Sequence, residues 1–481
     1  MQTYLNYMNG QWEQSLSGRL IESVNPATGE IVCKAQDSTA EDAKSAVDSA
    51  RRSFERGDWS EDPNRRARAL YKLAQRLSES ITPMAELLVR EGGKTLEDAI
   101  AEITRSTPPL EYYSGLARNV FGRSIVLGPK TMSVLLREPI GVVSIIIPWN
   151  APIALLVRSL APALAAGNTV VIKPASATSG ITAEFMKLVD SISEFPKGTL
   201  NFVSGPGETV GRELVRNRSV AMISFTGDTS TGKEIMKLAA DSLKKLSLEL
   251  GGKSPNIVYA DADFSKAVKG VITGACFSSA GQVCFAGTRV LIQRNIHERF
   301  LDAVHQQVKS MKVGYGMDKD VTVGPIINRK QLDRVMSYIE TGKKEAELVA
   351  GGNRMTEGNL AKGNFVEPTV FDNVPIDSRL AQEEIFGPVL SVLSFDDMED
   401  AIQLANNTVY GLAAAIWTKD LSKALNTARK VKAGTVWVNT FGRLYASTEA
   451  GGMKQSGIGR LYGLEGLRDF TELKNVNIET E

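Results

Sequence analysis

Apolar and polar positions change rhythm along this chain. From residue 40 to 119 apolar side chains recur at three- and four-residue spacing, as in ARALYKLAQRLSESI and TPMAELLVREGG, which predicts amphipathic helices resting on a later part of the chain. From Gly141 short unbroken apolar runs alternate with amphipathic segments, the pattern of strand, helix and parallel strand. GVVSIIIPW reads as a buried strand, Pro152 suits the first turn of a helix, IALLVRSLAPALAA carries that helix to Gly167, and NTVVIKP returns to the sheet. LNFVSG, AMISFTG and KLSLELGG continue the series, so a Rossmann-like, doubly wound α/β sheet that binds a nucleotide is expected. After Gly252 a second α/β series follows, with helices near Ala262 to Ala280 and Ile296 to Lys312 and strands at TRVLIQ, LSVLSF, AAAIWT and GTVWVN. Ahead of the first series, FGRSIVLGPKTMSVLLREPI alternates about a Gly128-Pro129 turn and predicts a projecting hairpin, whose edge is suited to pairing with another chain.

Length and composition narrow the function. At 481 residues the chain exceeds the roughly 250–300 residues at which single cores stop growing, so at least two domains are expected. Lys and Arg total 56 against 55 Asp and Glu, which leaves no global field for nucleic acid or an anionic membrane and favours a small-molecule partner. No apolar run approaches the roughly 18 residues of a membrane helix, and Met1 to Ser15 lacks a signal peptide's apolar core, so a cytoplasmic location is expected. Three cysteines, Cys33, Cys276 and Cys284, without C-x-x-C spacing, argue against a disulfide framework or a zinc site. The two histidines, His297 and His305, share one helix-like segment, which argues against a Ser-His-Asp hydrolase.

Several segments carry candidate chemistry. FTGDTSTG, Phe225 to Gly232, places small and polar residues where a strand gives way to a helix, a junction whose free N–H groups suit a phosphate; an N-cap at Asp228 or Thr229 explains the same residues. SGPGETVG, Ser204 to Gly211, reads as a glycine turn after a strand. LELGGKSPN puts Glu249 at the end of an apolar strand, either as a solvated carboxylate at the sheet edge or as a general base facing the crevice at the strand ends. AGQVCFAGTR places Cys284 between a helix and a strand, and a lone cysteine is more often an inert buried residue than a nucleophile.

Taken together, PWN at Pro148 to Asn150, Lys173-Pro174, FTG, LELGGKSPN, GQVC and EEIFGPV at Glu383 to Val389 occur in a familiar order and approximate spacing. From VNPATGE at Val24 to GGMKQSGIGR ending at Arg460, the chain resembles the aldehyde dehydrogenase superfamily, in its NAD(P)-dependent, hydrolytic form. The resemblance implies that Cys284 is the nucleophile, that the Asn150 amide and the Cys284 N–H form the oxyanion hole, and that Glu249 activates water. It implies NADP or NAD as cofactor: Lys173 and Ser176 at the adenosine ribose; Phe225, Thr226, Gly227 and Asp228 around the pyrophosphate; Ile146 and Trp149 along the cleft; Glu384 and Phe386 at the nicotinamide; and Gly207 and Leu250 as further cofactor-binding residues. It further implies a cofactor domain from 1–119 and 140–250, a catalytic domain over 251–450, and a small β oligomerisation element from 120–139 and 461–481, giving a homodimer or homotetramer.

Four departures from the family pattern matter. Asp228 stands where Ser is usual, Leu461 where many relatives carry a second acid, and Glu449-Ala450 where a proline and an aromatic precede the GG. Ser176 stands where NAD-preferring relatives commonly grip both ribose hydroxyls with Glu, so NADP is expected to be accepted. Arg158, on the helix that follows Asn150, and Arg443 are the expected grips for a distal carboxylate, pointing to a semialdehyde or a small hydroxyaldehyde. The competing readings are a coenzyme-A-acylating dehydrogenase, which usually lacks the base, and a non-catalytic binding protein of the same fold.

Overall fold

The helix expected after PWN forms over Pro152–Ala166, with Pro152 in its first turn and Gly167 closing it in the left-handed region at φ 98°. It is flanked by the strands Val142–Ile146 and Thr169–Lys173, both buried at every residue, which is why their sequences are unbroken apolar runs. The computed structural model describes residues 1–480. These strands lie at the centre of an eight-stranded sheet in the order Gly457–Ile458, Lys245–Glu249, Val220–Thr226, Val142–Ile146, Thr169–Lys173, Leu200–Phe202, Asn6–Met8, Gln11–Glu13. The middle five are parallel and the outer pairings antiparallel. From Val142–Ile146 the chain first adds strands on one side and then crosses to add Val220–Thr226 on the other. The crevice at such a reversal is where open α/β sheets bind ligands, and here PWN and FTG form its two lips.

A second, seven-stranded sheet is built from residues beyond Gly252, in the order Glu347–Ala350, Thr369–Asp372, Val389–Phe395, Arg289–Gln293, Pro255–Val258, Ala413–Trp417, Thr435–Val438. It has its own core, with Phe300, Phe371, Phe395 and Trp417 buried among its strands and helices. Three of its strands, Pro255–Val258, Glu347–Ala350 and Thr369–Asp372, and the N-terminal strands were not expected, because runs of three to six residues carry too little periodicity to declare themselves. The helix expected over Ala262 to Ala280 is shorter, spanning Phe264–Gly274; Cys276 then turns left-handed at φ 54° and breaks the pattern.

The hairpin forms as Arg123–Gly128 and Thr131–Pro139, and Thr471–Glu479 pairs antiparallel with its second strand through nine register positions. Residues 461–470 do something else. Leu461, Leu467 and Phe470 join the core of the first sheet, and the helix Gly463–Asp469 packs against Pro152–Ala166. Among the described residues no helix is long and apolar enough to cross a membrane, and no group of acids, histidines and cysteines could hold a metal.

Candidate active site

Between the two sheets lies a cleft of about 580 Å³. Trp149, Asn150, Thr226, Gly227 and Asp228 line it from the first sheet, Cys284, Glu384 and Phe386 from the second, and Glu249 with Leu250 from the segment that crosses between them. The crossing is tight. A Cβ at Gly252 would stand 2.6 Å from the Cys284 carbonyl oxygen, and one at Gly251 would stand 2.4 Å from Glu384 Oε2, so only glycines let this segment pass between the nucleophile loop and the Glu384 loop.

The loop bearing Cys284 is held by its neighbour. Gln282 Oε1 accepts the Ile327 N–H at 2.9 Å, and the Gln282 carbonyl accepts from Asn150 Nδ2 at 3.0 Å. That bond orients the Asn150 amide across the domain boundary and uses one of its two N–H groups, leaving the other for a ligand oxygen. Burial pushes the Cys284 thiol up to about 12; Arg158 pulls it down, while the Glu384 and Glu249 carboxylates push it further up.

Glu249, 4% exposed, is the last residue of its strand. Its Oε2 lies 3.4 Å from Arg158 Nη1, and its Oε1 has no hydrogen-bond partner in the protein. Burial raises its carboxyl above the usual range, against the pull of Arg158, Arg460 and the Gly452 N–H. Arg158 Nη2 donates to Thr226 Oγ1 at 3.1 Å while Nη1 faces Glu249, and Nε, also buried, has no partner. The guanidinium expected to grip a substrate carboxylate thus already faces a buried acid. Arg443 is exposed and touches the site only indirectly, its carbonyl accepting from Trp437 Nε1 at 2.8 Å. Glu449, at the departure before the GG, accepts the Glu465 N–H at 3.2 Å and anchors the start of the Gly463–Asp469 helix.

Residues suited to a dinucleotide follow the crevice. Lys173 ends its strand with its stem beside Gly211, in the turn Gly207–Gly211, and donates to the Pro174 carbonyl at 2.8 Å; burial lowers its ammonium to about 8. One internal partner for three N–H groups leaves donors for ribose hydroxyls. Ser176 opens a single turn and does not cap the helix Ser179–Asp190, whose N-terminal end has no side-chain cap. Ile146 and Phe225 are buried beneath the crevice in the core of the first sheet. Asp228 caps the helix Thr229–Ala239, accepting the Ser230 N–H at 2.7 Å. Burial works to raise its carboxyl, but the Ser230 and Thr231 hydrogen bonds and Arg334 outweigh it and hold the group low.

At the other end of the crevice, Glu384 Oε1 accepts the Gly252 N–H at 3.2 Å, and burial raises its carboxyl to about 7. Phe386, left-handed at φ 57°, meets Trp149 edge to face at 5.3 Å, and the two rings wall the cleft. An acceptor carboxylate, spare ammonium hydrogens and an aromatic wall along one groove fit an NAD(P) cofactor. Gln331 and Arg334, which donate to the Phe386 and Glu384 carbonyls at 2.9 and 2.7 Å, also line this end. They were not foreseen. The only visible sign was a helix start, Asn328 capping Arg329–Glu345, and nothing local says which loop that helix supports.

The aldehyde dehydrogenase family model matches residues 12–476. Betaine aldehyde dehydrogenase of Bacillus subtilis is 41% identical over 99% of this chain and 97% of its own length, and a putative aldehyde dehydrogenase, DhaS, of the same organism is 39% identical over 99% and 95%. A crystal structure of betaine aldehyde dehydrogenase from Staphylococcus aureus in complex with NAD+ superposes with a TM-score of 0.97 at 40% identity, covering 99% of this chain and 95% of that one. Both sheets and the cleft between them thus have counterparts along almost the whole length of solved relatives, and the chain belongs to the aldehyde dehydrogenase family, as an NAD(P)-dependent oxidoreductase acting on aldehydes.

Proposed function

We propose that this enzyme releases its product as a free carboxylic acid, with Cys284 as nucleophile, the Asn150 amide and Cys284 N–H as oxyanion hole, and Glu249 as the base that activates water. The observation that supports this is the convergence of Cys284, Asn150 and Glu249 on one cleft that continues into a dinucleotide groove. The Cys284 proton passes to bulk water as its sulfur bonds to the aldehyde carbon, and the new alkoxide accepts from the free N–H of Asn150. With NAD(P)+ bound, the carbon–hydrogen bond would break with its electron pair leaving as hydride to the nicotinamide, and the acyl group would stay on Cys284 as a thioester. Glu249 then takes a proton from water as that water attacks the thioester, and the carbon–sulfur bond breaks to return Cys284. A panel of aldehydes, beginning with the betaine aldehyde named for the relatives and including neutral and carboxylate-bearing compounds, tests the reading by cofactor absorbance and by product analysis. Free acid formed without added coenzyme A supports it; acyl-coenzyme A as the sole product overturns it.

The nucleotide preference follows from Ser176. A carboxylate about 4 Å from a 2′-phosphate would cost on the order of 4 kcal/mol at an effective dielectric of 20, and a serine there removes that repulsion. Usable activity with NADP is expected, with Ser176→Glu shifting kcat/KM toward NAD; strict NAD use by the parent would end this argument.

Assembly into a homodimer or homotetramer is proposed through the three-stranded sheet, which exposes Val126 at 78% and Leu473 at 56% of their surfaces. Exposed apolar sheet residues of this kind suit burial against another copy. Light scattering is expected to give a multiple of 52.1 kDa, and Val126→Asp with Leu473→Asp is expected to lower it. A parent of monomer mass would refute the assignment.

A further inference from the structure

We propose that Arg158 is a positioning residue for the general base: it supplies the counter-charge that favours the ionised form of buried Glu249 and holds its Oε2. The inference rests on the reading of Glu249 as the base, and deepens it. The geometry is specific. Arg158 and Glu249 side chains are 7% and 5% exposed, their nearest N and O atoms are 3.4 Å apart, and the second terminal nitrogen is tied to Thr226. Glu249 Oε2 thus faces the guanidinium, while Oε1 lies buried beside Gly451 with no hydrogen-bond partner of its own.

The Gly452 N–H also favours the charged form of Glu249, as a neutral backbone dipole and not a counter-ion. Arg460 spends Nη1 on the Gly452 and Gly459 carbonyls at 3.1 and 2.7 Å, so its charge acts from behind a backbone anchor. Cys284 and Tyr462 are near enough to feel the Glu249 charge, and neither bears a positive one. Leu461, buried in the first core, offers no second carboxylate to share the proton. Burial raises the Glu249 carboxyl above its ordinary range, and a protonated carboxyl cannot take a proton from water. Arg158 is the one cation in direct contact that opposes this.

The test is the pH dependence of turnover. In Arg158→Leu the acid limb of kcat is expected to move up by about one unit, so that turnover at pH values below the parental limb falls about tenfold. The initial burst of reduced cofactor should persist, and neutral and carboxylate-bearing aldehydes should lose equally. Arg158→Lys, which keeps the charge, should hold the limb near its parental position; Arg158→Gln, which keeps polarity without charge, should move it as Leu does and decides the matter where Leu does not fold. An unmoved limb in both neutral variants overturns the proposal, as does a loss confined to KM for carboxylate-bearing aldehydes, which would mark Arg158 as a substrate grip. Full turnover in Glu249→Gln would instead overturn the assignment of the base itself, so the two failures are distinguishable.

Discussion

Mixed with NAD(P)+ and an aldehyde, the Glu249→Gln enzyme is expected to release up to one equivalent of reduced nicotinamide per active site and then stall. Acylation needs the Cys284 sulfur, the oxyanion donors and a hydride acceptor, and the substitution leaves all of these in place. Deacylation needs a group that takes a proton from water, and glutamine cannot do so. General-base catalysis contributes roughly 10²- to 10⁴-fold, so steady-state turnover should fall by that order while the burst survives. The amide keeps the size of the side chain but leaves the buried Arg158 guanidinium without its counter-charge, so thermal unfolding of the variant is measured alongside. Cys284→Ala should show no burst. Stopped-flow absorbance separates the phases, and turnover of Glu249→Gln at the parental rate would transfer the base role to another residue.

Asn150→Ala is expected to slow the burst itself, by about 10²- to 10³-fold, or roughly 2.7–4 kcal/mol, the usual cost of one preorganised oxyanion donor. Its amide is preorganised: Nδ2 already donates to the Gln282 carbonyl at 3.0 Å, so little reorganisation is needed when the aldehyde oxygen becomes negative. The cost to folding should be far smaller, since one hydrogen bond contributes about 1 kcal/mol net. Asn150→Asp is expected to be at least as damaging, because it replaces a donor with a negative acceptor at the place where negative charge develops. Burst rates measured at saturating aldehyde decide the point. A parental burst rate in the Ala variant would show that the Cys284 N–H suffices, and parental folding stability in both variants would confine the effect to chemistry.

Several features of the protein were determined locally, by short-range pattern. Apolar runs bounded by Pro152 and Gly167 specify a strand, a helix and a strand, because backbone sterics and burial act on neighbouring residues; the two sheets and the hairpin followed. The motif order carried the family, and with it the identities of Cys284, Glu249 and Asn150 as candidates. Asp228 was legible as a cap because capping is an exchange between residues two apart.

What the tertiary structure alone decided was which charges meet. Arg158 and Glu249 are 91 positions apart, and nothing in either neighbourhood says that an arginine on the helix after PWN will spend its charge on the acid at the end of LELGG. Separations of 50 and 55 positions likewise hid the support that Arg334 and Gln331 give the Glu384 and Phe386 carbonyls, and one of 16 hid Glu449 as an anchor for the Gly463–Asp469 helix. Pattern reads the face on which a side chain lies. An ion pair or a long-range hydrogen bond depends on where two faces come to rest, and that is set by packing over the whole chain.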